Sequence, residues 1–209
     1  MFEKESMISF QELGSFIDFY KGLRLYNNWT LQTGLLNKRG NMINDRPYTL
    51  KLKNIFNEKK LFRRSVSIAE IVSWLDSYEI LKRIILKLNK ELNYDKIGKI
   101  TLYQEYLIRL SKARRVDYIF VHKNNILLVE FRLSDHFPNM SNAWQKKELE
   151  LIIYKELIKN YLSDCYNVYT YAFIMMPEYD NKIAIEKNIK YNNANVEHFC
   201  EYLISYLLE

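Results

Sequence analysis

Two short apolar runs, each containing one carboxylate, most strongly constrain what this chain can fold into. Residues 116–122 and 126–132 are rich in β-branched and aromatic side chains, and a polar turn separates them. This pattern predicts two adjacent strands joined in a hairpin. Asp117 falls within the first strand and Glu130 within the second. A carboxylate among apolar neighbours is costly to bury, so each acid requires a compensating partner.

The register of the hairpin decides whether the acids meet, because strand side chains alternate between the two faces. Pairing of Val121 with Ile126 places the acids directly opposite each other, where they repel. A slip by two residues puts Asp117 opposite Arg132 on the same face, and a slip by one separates the acids. One compensation is a divalent cation such as Mg²⁺, which binds one or two carboxylates, water and substrate phosphate. The other is a salt bridge to Arg114, Arg115 or Arg132.

The first part of the chain, residues 1–95, is predicted to be all-helical. Ser9 and Glu12 have the spacing of a capping box and would open one amphipathic helix. Ser67 opens a second, longer helix in the same way. Between these helices, the polar stretch 37–47 is predicted to be a loop.

The second part, residues 96–209, is predicted to be an α/β domain with a mixed central sheet. Its predicted helices cover residues 101–115, 142–162 and 195–208. Besides the hairpin, a strand is expected at 167–177, and its solidly apolar end suits a central strand covered on both faces. A short strand is also expected near 183–189. The order of elements up to the third strand is therefore α-β-β-α-β.

The composition predicts a substantial core and a mildly basic protein. Hydrophobic residues make up 48% of the 209 residues, and the net charge is +6 with a pI near 9.1. A basic excess is compatible with a polyanionic partner. The sequence shows no signal peptide and no apolar run of the roughly 18 residues that a membrane span requires. Cys165 and Cys200 lack metal-ligand spacing. We therefore expect a cytoplasmic protein without a membrane partner.

The hairpin and its surroundings resemble the core of the PD-(D/E)XK nuclease superfamily. The sequences Val-Asp-Tyr at 116–118 and Leu-Leu-Val-Glu-Phe-Arg at 127–132 are similar to the family motif, in which an Asp begins one strand and a Glu-x-Lys lies on the next. The resemblance covers about residues 100–176 and includes the order of the elements. It implies a restriction-endonuclease-like α-β-β-α-β core, with Asp117 and Glu130 as ligands of Mg²⁺ or Mn²⁺.

Further positions take their expected roles from this resemblance. It implies that Glu105, on the predicted helix before the hairpin, is an additional metal ligand. Glu150 and Tyr154 have the spacing of a Gln-x-x-x-Tyr pair that several branches carry on the helix after the hairpin, with Glu in place of Gln. We therefore expect this pair at the substrate. The basic residues Arg114 and Arg115, before the first strand, are candidates for contacts to phosphate.

The chain departs from the family pattern at Arg132, which stands where lysine is usual. Arginine can stabilise negative charge that develops on a phosphate, but its pKa above about 12 prevents it from giving up a proton. If a titrating lysine is required, Lys146 or Lys147 could reach the site from the following helix, since each lies three or four residues from Glu150. A third interpretation is a site that has lost its activity.

The function implied by the resemblance is metal-dependent phosphodiester hydrolysis of nucleic acid, with DNA as the expected partner. The N-terminal helices would recognise DNA or mediate assembly into a homodimer or a larger complex. The alternative is a catalytically inactive protein of the same fold that binds nucleic acid or a protein. A third interpretation is a mostly helical interaction module with an incidental hairpin, which pairing of 167–177 beside 116–122 would exclude.

Overall fold

The computed structural model is an α/β protein with one open, mixed, five-stranded sheet and helices on both of its faces. In order across the sheet, the strands are β1 (Ser6–Phe10), β2 (Thr101–Ile108), β3 (Arg114–His122), β4 (Asn125–Leu133) and β5 (Asn167–Met175). β4 and β5 run parallel, and the other neighbours are antiparallel. The structure describes residues 2–25, 29, 36–61, 64–92, 97–108, 114–133, 137–175 and 196–208.

Six α-helices accompany the sheet within these ranges. They are α1 (Leu13–Gly22), α2 (Leu36–Ile43), α3 (Pro47–Lys59), α4 (Ile68–Glu91), α5 (Phe137–Lys159) and α6 (Val196–Leu203). A short 3₁₀ helix, Phe2–Glu5, precedes β1, and a π-helical turn, Ile204–Leu208, follows α6. None of the helices in the described part of the chain is long and apolar enough to cross a membrane. The strand expected near 183–189 lies outside the described residues.

The hairpin has the register that brings the acids together. Val121 pairs with Ile126, and His122 pairs with Asn125, so only two residues form the turn. The first of these, Lys123, has a φ of 53°, the left-handed conformation that tight hairpin turns require. The predicted hairpin is therefore confirmed, with the first of the three registers considered, and β3 is the middle strand of the sheet.

The N-terminal region is not all-helical, because it supplies the strand β1. Ser9 lies in β1 and pairs with Tyr103, so the predicted capping box at Ser9 is wrong. The helix after it begins at Leu13, and its N-cap residue Glu12 makes no capping hydrogen bond through its side chain. The other predicted capping box is confirmed, since Ser67 and the third residue of α4 bond reciprocally.

The stretch 37–47 contains most of α2 rather than only a loop. Gly40 lies within this helix, and a Cβ atom placed on it would lie 3.0 Å from Cγ2 of Ile68 at the start of α4. The glycine therefore allows α2 and α4 to approach closely, and it does not mark a turn. This reason for a glycine cannot be recognised from local sequence alone.

The helix predicted over 101–115 is wrong, because residues 101–108 form β2 between β1 and β3. The apolar spacing that suggested a helix arises from an interruption in the strand. Leu102 packs on one face of the sheet, but Tyr106 and Ile108 pack on the other. Between them Glu105 has a φ of 54°, which breaks the alternation of side chains. The two faces together therefore imitate a helical period.

The sheet separates two apolar cores. The larger core packs α1, α3, α4 and α6 against one face, which includes Leu102, Tyr118 and Phe120; we call this the α4 face. The smaller core packs α5 against the other face, the α5 face, which includes Ile119 and Leu128. Residues from both predicted segments, 1–95 and 96–209, contribute to the larger core.

The strand β5 is covered on both faces, as its apolar sequence predicts, but it is not central. Tyr171 and Phe173 belong to the larger core, and Val168 and Ala172 belong to the smaller one. β5 pairs with β4 and not with β3, and it is the last strand of the described sheet. Two-sided burial therefore reflects the helices packed on it and not its place in the sheet.

Candidate active site

Asp117 and Glu130 lie where the regular pairing of β3 and β4 ends, directly after the pair formed by Tyr118 and Val129. The backbone N–H of Asp117 donates to Oε1 of Glu130 over 3.1 Å, and the N–H of Phe131 donates to Oδ2 of Asp117 over 2.9 Å. Each carboxylate thus accepts a hydrogen bond from the backbone of the opposite strand. These bonds fix both acids side by side at the centre of the sheet.

Lys147 provides the positive charge that contacts Glu130. Its Nζ atom lies 2.6 Å from Oε2 of Glu130 and 2.8 Å from Oε2 of Glu150. Glu130 is 1% exposed, so this ion pair is nearly removed from water on its carboxylate side. Lys147 and Glu150 lie three residues apart on α5, and the helix therefore presents both groups to β4.

Glu105 approaches Asp117 from the α4 face. The indole N–H of Trp74, on α4, donates to Oε1 of Glu105 over 2.7 Å. Oε2 lies 2.6 Å from Nε of Arg115, yet it is buried and accepts no hydrogen bond of acceptable geometry from the described residues. The prediction that Glu105 lies on a helix is therefore wrong. It lies on the strand β2 and is 2% exposed.

A small polar cavity of about 50 Å³ lies on this side of the sheet. Asp117, Glu105 and Arg115 line it from the sheet, and the hydroxyl-bearing residues Ser73 and Ser77 line it from α4. A cavity of this size is large enough for a few water molecules or for a small cation. The positive φ of Glu105 turns its side chain into this cavity, and such strain in a residue other than glycine is typical of functional sites.

All three acids have pKa values above their ordinary range. Burial raises the pKa of Glu105 to about 8, against the opposing charge of Arg115. Burial also raises the pKa of Asp117, although Lys147 acts in the other direction. The pKa of Glu130 is well above its usual value, first because of burial and then because of the charge of Asp117. Additional positive charge would therefore be favourable here.

The charges of these acids also raise the pKa values of Lys147 and Tyr154. Burial acts against the ammonium charge of Lys147, but Glu130 and Asp117 together hold its pKa above the ordinary value. The pKa of Tyr154 is raised to about 12, first by burial and then by the charges of Glu130 and Glu150. Tyr154 packs in the smaller core close to the acids. Both residues therefore stay protonated at neutral pH.

Of the other predicted site residues, Arg115 contacts one of the acids, whereas within the described part of the chain no contact to them is found for Arg114, Arg132 or Lys146. Arg132 lies on an exposed part of β4, opposite Ile174 of β5, and Lys146 is exposed on α5. Arg114 is half-buried at the start of β3. Arg115 contacts two carboxylates, Glu105 and Glu70, the latter over 2.9 Å. Among the candidate basic side chains, Lys147 is thus the one that contacts Glu130.

Sequence reasoning missed the contribution of α4 to this site. Trp74 contacts Glu105, Glu70 contacts Arg115, and the hydroxyl of Ser77 lies 2.7 Å from that of Tyr118. A signal was present in the sequence, since α4 carries several polar residues within its buried length. These buried polar residues are Asp76, Ser77 and Glu79; Ser77 lines the cavity, whereas Asp76 contacts Arg39 and Glu79 contacts Tyr20.

The donor set suits a hard divalent cation bound by two carboxylates at a time. Among the described residues, no group of three or more His, Cys, Asp or Glu side chains is arranged to hold a metal ion. Mg²⁺ and Mn²⁺ accept one or two protein carboxylates and take their other ligands from water and phosphate. Asp117 with Glu130, or Asp117 with Glu105, would supply two such carboxylates, and Oε2 of Glu105 also lies beside Nε of Arg115.

Comparisons with known proteins do not assign the chain to a family. No family model matches the chain, and no curated protein matches it. Among solved structures, the crystal structure of protein VC1899 from Vibrio cholerae is similar with a TM-score of 0.28 and 11% sequence identity. The match covers 93% of this chain and 50% of that chain, so the chain spans about half the length of VC1899. At this similarity neither fold nor function can be transferred.

Proposed function

We propose that this protein is a metal-dependent nuclease that hydrolyses phosphodiester bonds, with DNA as its substrate, in the cytoplasm. The observation that carries the proposal is the contact of Lys147 with Glu130, beside Asp117. Two acids on adjacent strands and one lysine are the groups that the PD-(D/E)XK resemblance requires. Lys147 of α5 would take the place of the lysine that the sequence lacks at position 132, and the fold that we propose is restriction-endonuclease-like.

Asp117 and Glu130 would hold Mg²⁺ or Mn²⁺, and Glu105 would hold a second ion together with Asp117. Such an ion lowers the pKa of a bound water and neutralises charge on the phosphate. Lys147 would stabilise the negative charge that develops on the pentacovalent transition state. Because its pKa is raised, Lys147 acts as a fixed positive charge and not as a base. Arg114 and Arg132 would contact the substrate backbone.

A second candidate is a nuclease-fold protein that binds nucleic acid or a protein partner without cutting. Its supporting observation is the same ion pair, because Lys147 already neutralises Glu130 without a metal ion. A buried acid and a buried cation can compensate each other permanently. The two candidates differ in whether the acids bind a cation.

Calorimetric titration of Mn²⁺ into the wild type, Asp117→Asn and Glu130→Gln tests the proposal, followed by incubation with plasmid and single-stranded DNA. We expect the wild type to bind Mn²⁺ and to cut DNA only when the metal is present. Either substitution should abolish cutting and weaken metal binding by at least tenfold. Glu156→Gln, an exposed residue of α5, is the matched control and should change neither. A wild type that binds no Mn²⁺ and cuts no DNA would favour the second candidate.

A further inference from the structure

A second, larger cavity lies one strand away from Glu130. Its volume is about 300 Å³, at the lower end of the range for ligand pockets. Ala172 forms part of its wall, and Ala172 is the residue of β5 that pairs with Glu130. Paired residues of parallel strands point to the same face about 4.8 Å apart. A substrate whose phosphate lies at Glu130 can therefore place its next group in this cavity.

The helix α5 contributes to both sites. Trp144 and Glu148 line the cavity, and Lys147, which contacts Glu130, lies between them in the sequence. The cavity and the acids consequently share one helix and one pair of strands. They keep a fixed separation as long as α5 stays packed on the sheet.

The walls of the cavity are mainly aromatic and are held by hydrogen bonds. Besides Trp144, the rings of Tyr171, Tyr202 and His198 line it. The hydroxyl of Tyr171 lies 2.9 Å from Nδ1 of His198, and the hydroxyl of Tyr202 donates to the carbonyl oxygen of Thr170 over 3.2 Å. The rings of Tyr171 and Tyr202 meet edge to face, with centroids 5.0 Å apart. Flat, pre-positioned rings of this kind stack on planar ligands.

The described part of the lining favours a hydrogen-bond donor over an anion. Glu148 is the charged residue among the described lining residues, which include neither lysine nor arginine. A phosphate or carboxylate would be repelled, whereas a neutral ring with N–H donors would find a carboxylate acceptor. Acidic side chains accept hydrogen bonds from the exocyclic amino group of cytosine. Adenine and guanine carry comparable amino groups, whereas thymine has none and offers only its ring N3–H.

We propose that this cavity binds one unpaired nucleobase with an exocyclic amino group, cytosine, adenine or guanine, of the strand that is cut. This inference rests on the proposed nuclease function for its substrate, but the cavity itself can be tested without cleavage. Trp144 and Tyr202 stack on the base, and Glu148 accepts from its amino group. The protein consequently requires a single-stranded or flipped nucleotide next to the bond that it cleaves.

The aromatic surface continues beyond the cavity and provides a place for the neighbouring nucleotide. The ring centroids of Tyr202 and Tyr206 lie 4.4 Å apart, and those of Tyr206 and Tyr169 lie 5.2 Å apart. Tyr206 is 45% exposed. Successive bases of a single strand stack on such rings.

The test is a fluorescence titration in the presence of a metal chelator, which prevents cleavage. Short homopolymers of deoxycytidine, deoxyadenosine and thymidine, and the free monophosphates of the same nucleosides, are added to the full-length protein. We expect the deoxycytidine and deoxyadenosine ligands to bind about tenfold more tightly than the thymidine ligands. Trp144→Leu should weaken deoxycytidine binding about tenfold. Tyr161→Leu replaces an exposed aromatic residue just after α5 and should have no effect.

The substitution Glu148→Gln separates base recognition from folding. Glu148 is exposed, so its replacement leaves the core intact if Trp144→Leu should fail to fold. We expect the preference for amino-bearing bases to fall to less than twofold, and Glu156→Gln to retain it. Equal binding of all bases by the wild type, or a preference that Glu148→Gln preserves, overturns the inference.

The two proposals fail separately. Base-selective binding that needs Trp144 and Glu148, without metal-dependent cutting, leaves the cavity assignment standing and rejects the nuclease. Metal-dependent cutting that shows no base preference and tolerates Glu148→Gln retains the nuclease and rejects the cavity assignment.

Discussion

The ammonium group of Lys147 lies 2.6 Å from the carboxylate of Glu130, although the two residues are 17 positions apart and belong to a helix and a strand. The contact accounts for an acid that is 1% exposed at the centre of a sheet. It also places a cation within reach of whatever the acids bind. The first test of the site therefore concerns this lysine.

Lys147→Met should reduce DNA cleavage at least a hundredfold, because the fixed charge that stabilises the transition state is removed. Lys146→Met is the matched control, since Lys146 is adjacent in sequence but exposed. Initial rates of plasmid nicking in Mn²⁺ measure the effect. Equal losses in the two variants would show that α5 supplies only general positive charge.

The stability of the protein should fall as the pH rises from about 5 to 8. Glu105 has a pKa of about 8 in the folded protein and an ordinary pKa near 4.5 when unfolded. In this window the folded state holds a proton that the unfolded state has released, so the slope is negative, up to about 1.4 kcal/mol per pH unit. Urea denaturation at several pH values measures it.

Glu105→Gln is the control for that pH dependence. The glutamine oxygen can still accept the hydrogen bond from Trp74, but the side chain no longer titrates. The variant should show a shallower decline of stability with pH. A decline as steep as in the wild type would assign the effect to Asp117 and Glu130, whose pKa values are raised in the same direction.

Affinity for Mn²⁺ should increase with pH between about 6 and 8. Metal binding requires ionised carboxylates, and burial favours the protonated forms of Asp117, Glu130 and Glu105 in the metal-free protein. Calorimetry in buffers of different ionisation enthalpy should reveal proton release on binding. An affinity that does not change with pH would mean that the ion binds elsewhere.

Glycine should be tolerated better than alanine at position 105, although this position lies in a strand, where alanine is usually the more stable of the two. Both substitutions remove the carboxylate equally, but the φ of 54° is strained for alanine and free of strain for glycine. We expect Glu105→Gly to be about 1 kcal/mol more stable to urea than Glu105→Ala. The reverse order, usual for strands, would indicate that the backbone at this position is extended.

The buried pair Arg39–Asp76 should contribute strongly to stability. Two hydrogen bonds of 2.9 and 2.5 Å join them, and the indole of Trp29 donates a third to Asp76. Arg39→Met leaves an acid that is 0% exposed without its cation and should cost about 3–5 kcal/mol. Arg39→Met combined with Asp76→Leu should recover most of this loss. Denaturant titration of the wild type, Arg39→Met and the double variant measures these differences in the free energy of unfolding.

The hairpin could be predicted because its signals are local. β-Branched strands and a polar turn predict two paired strands without knowledge of the rest of the chain. They left three registers open, and the structure selects the pairing of Val121 with Ile126. The long helix α4 could be predicted for the same reason, from its capping box and its apolar period.

The sources of the other site groups could not be predicted because they depend on tertiary packing. Glu105 lies on a strand whose alternation is broken by its own φ, so the periodicity indicated a helix. Arg132 and Lys147 were both candidates for the cation, and only the packing of α5 on β4 distinguishes them. The strand β1 gains its pairing from β2, about a hundred residues further along the chain.

That long separation has a consequence for the way the protein is made. Ser6 pairs with Tyr106, so residues 6–10 leave the ribosome long before the strand that they pair with. Closing so large a loop carries an entropic cost, and folding rates fall as contacts become more distant in sequence. During synthesis β1 therefore remains an unpaired edge, open to incorrect partners until β2 has emerged.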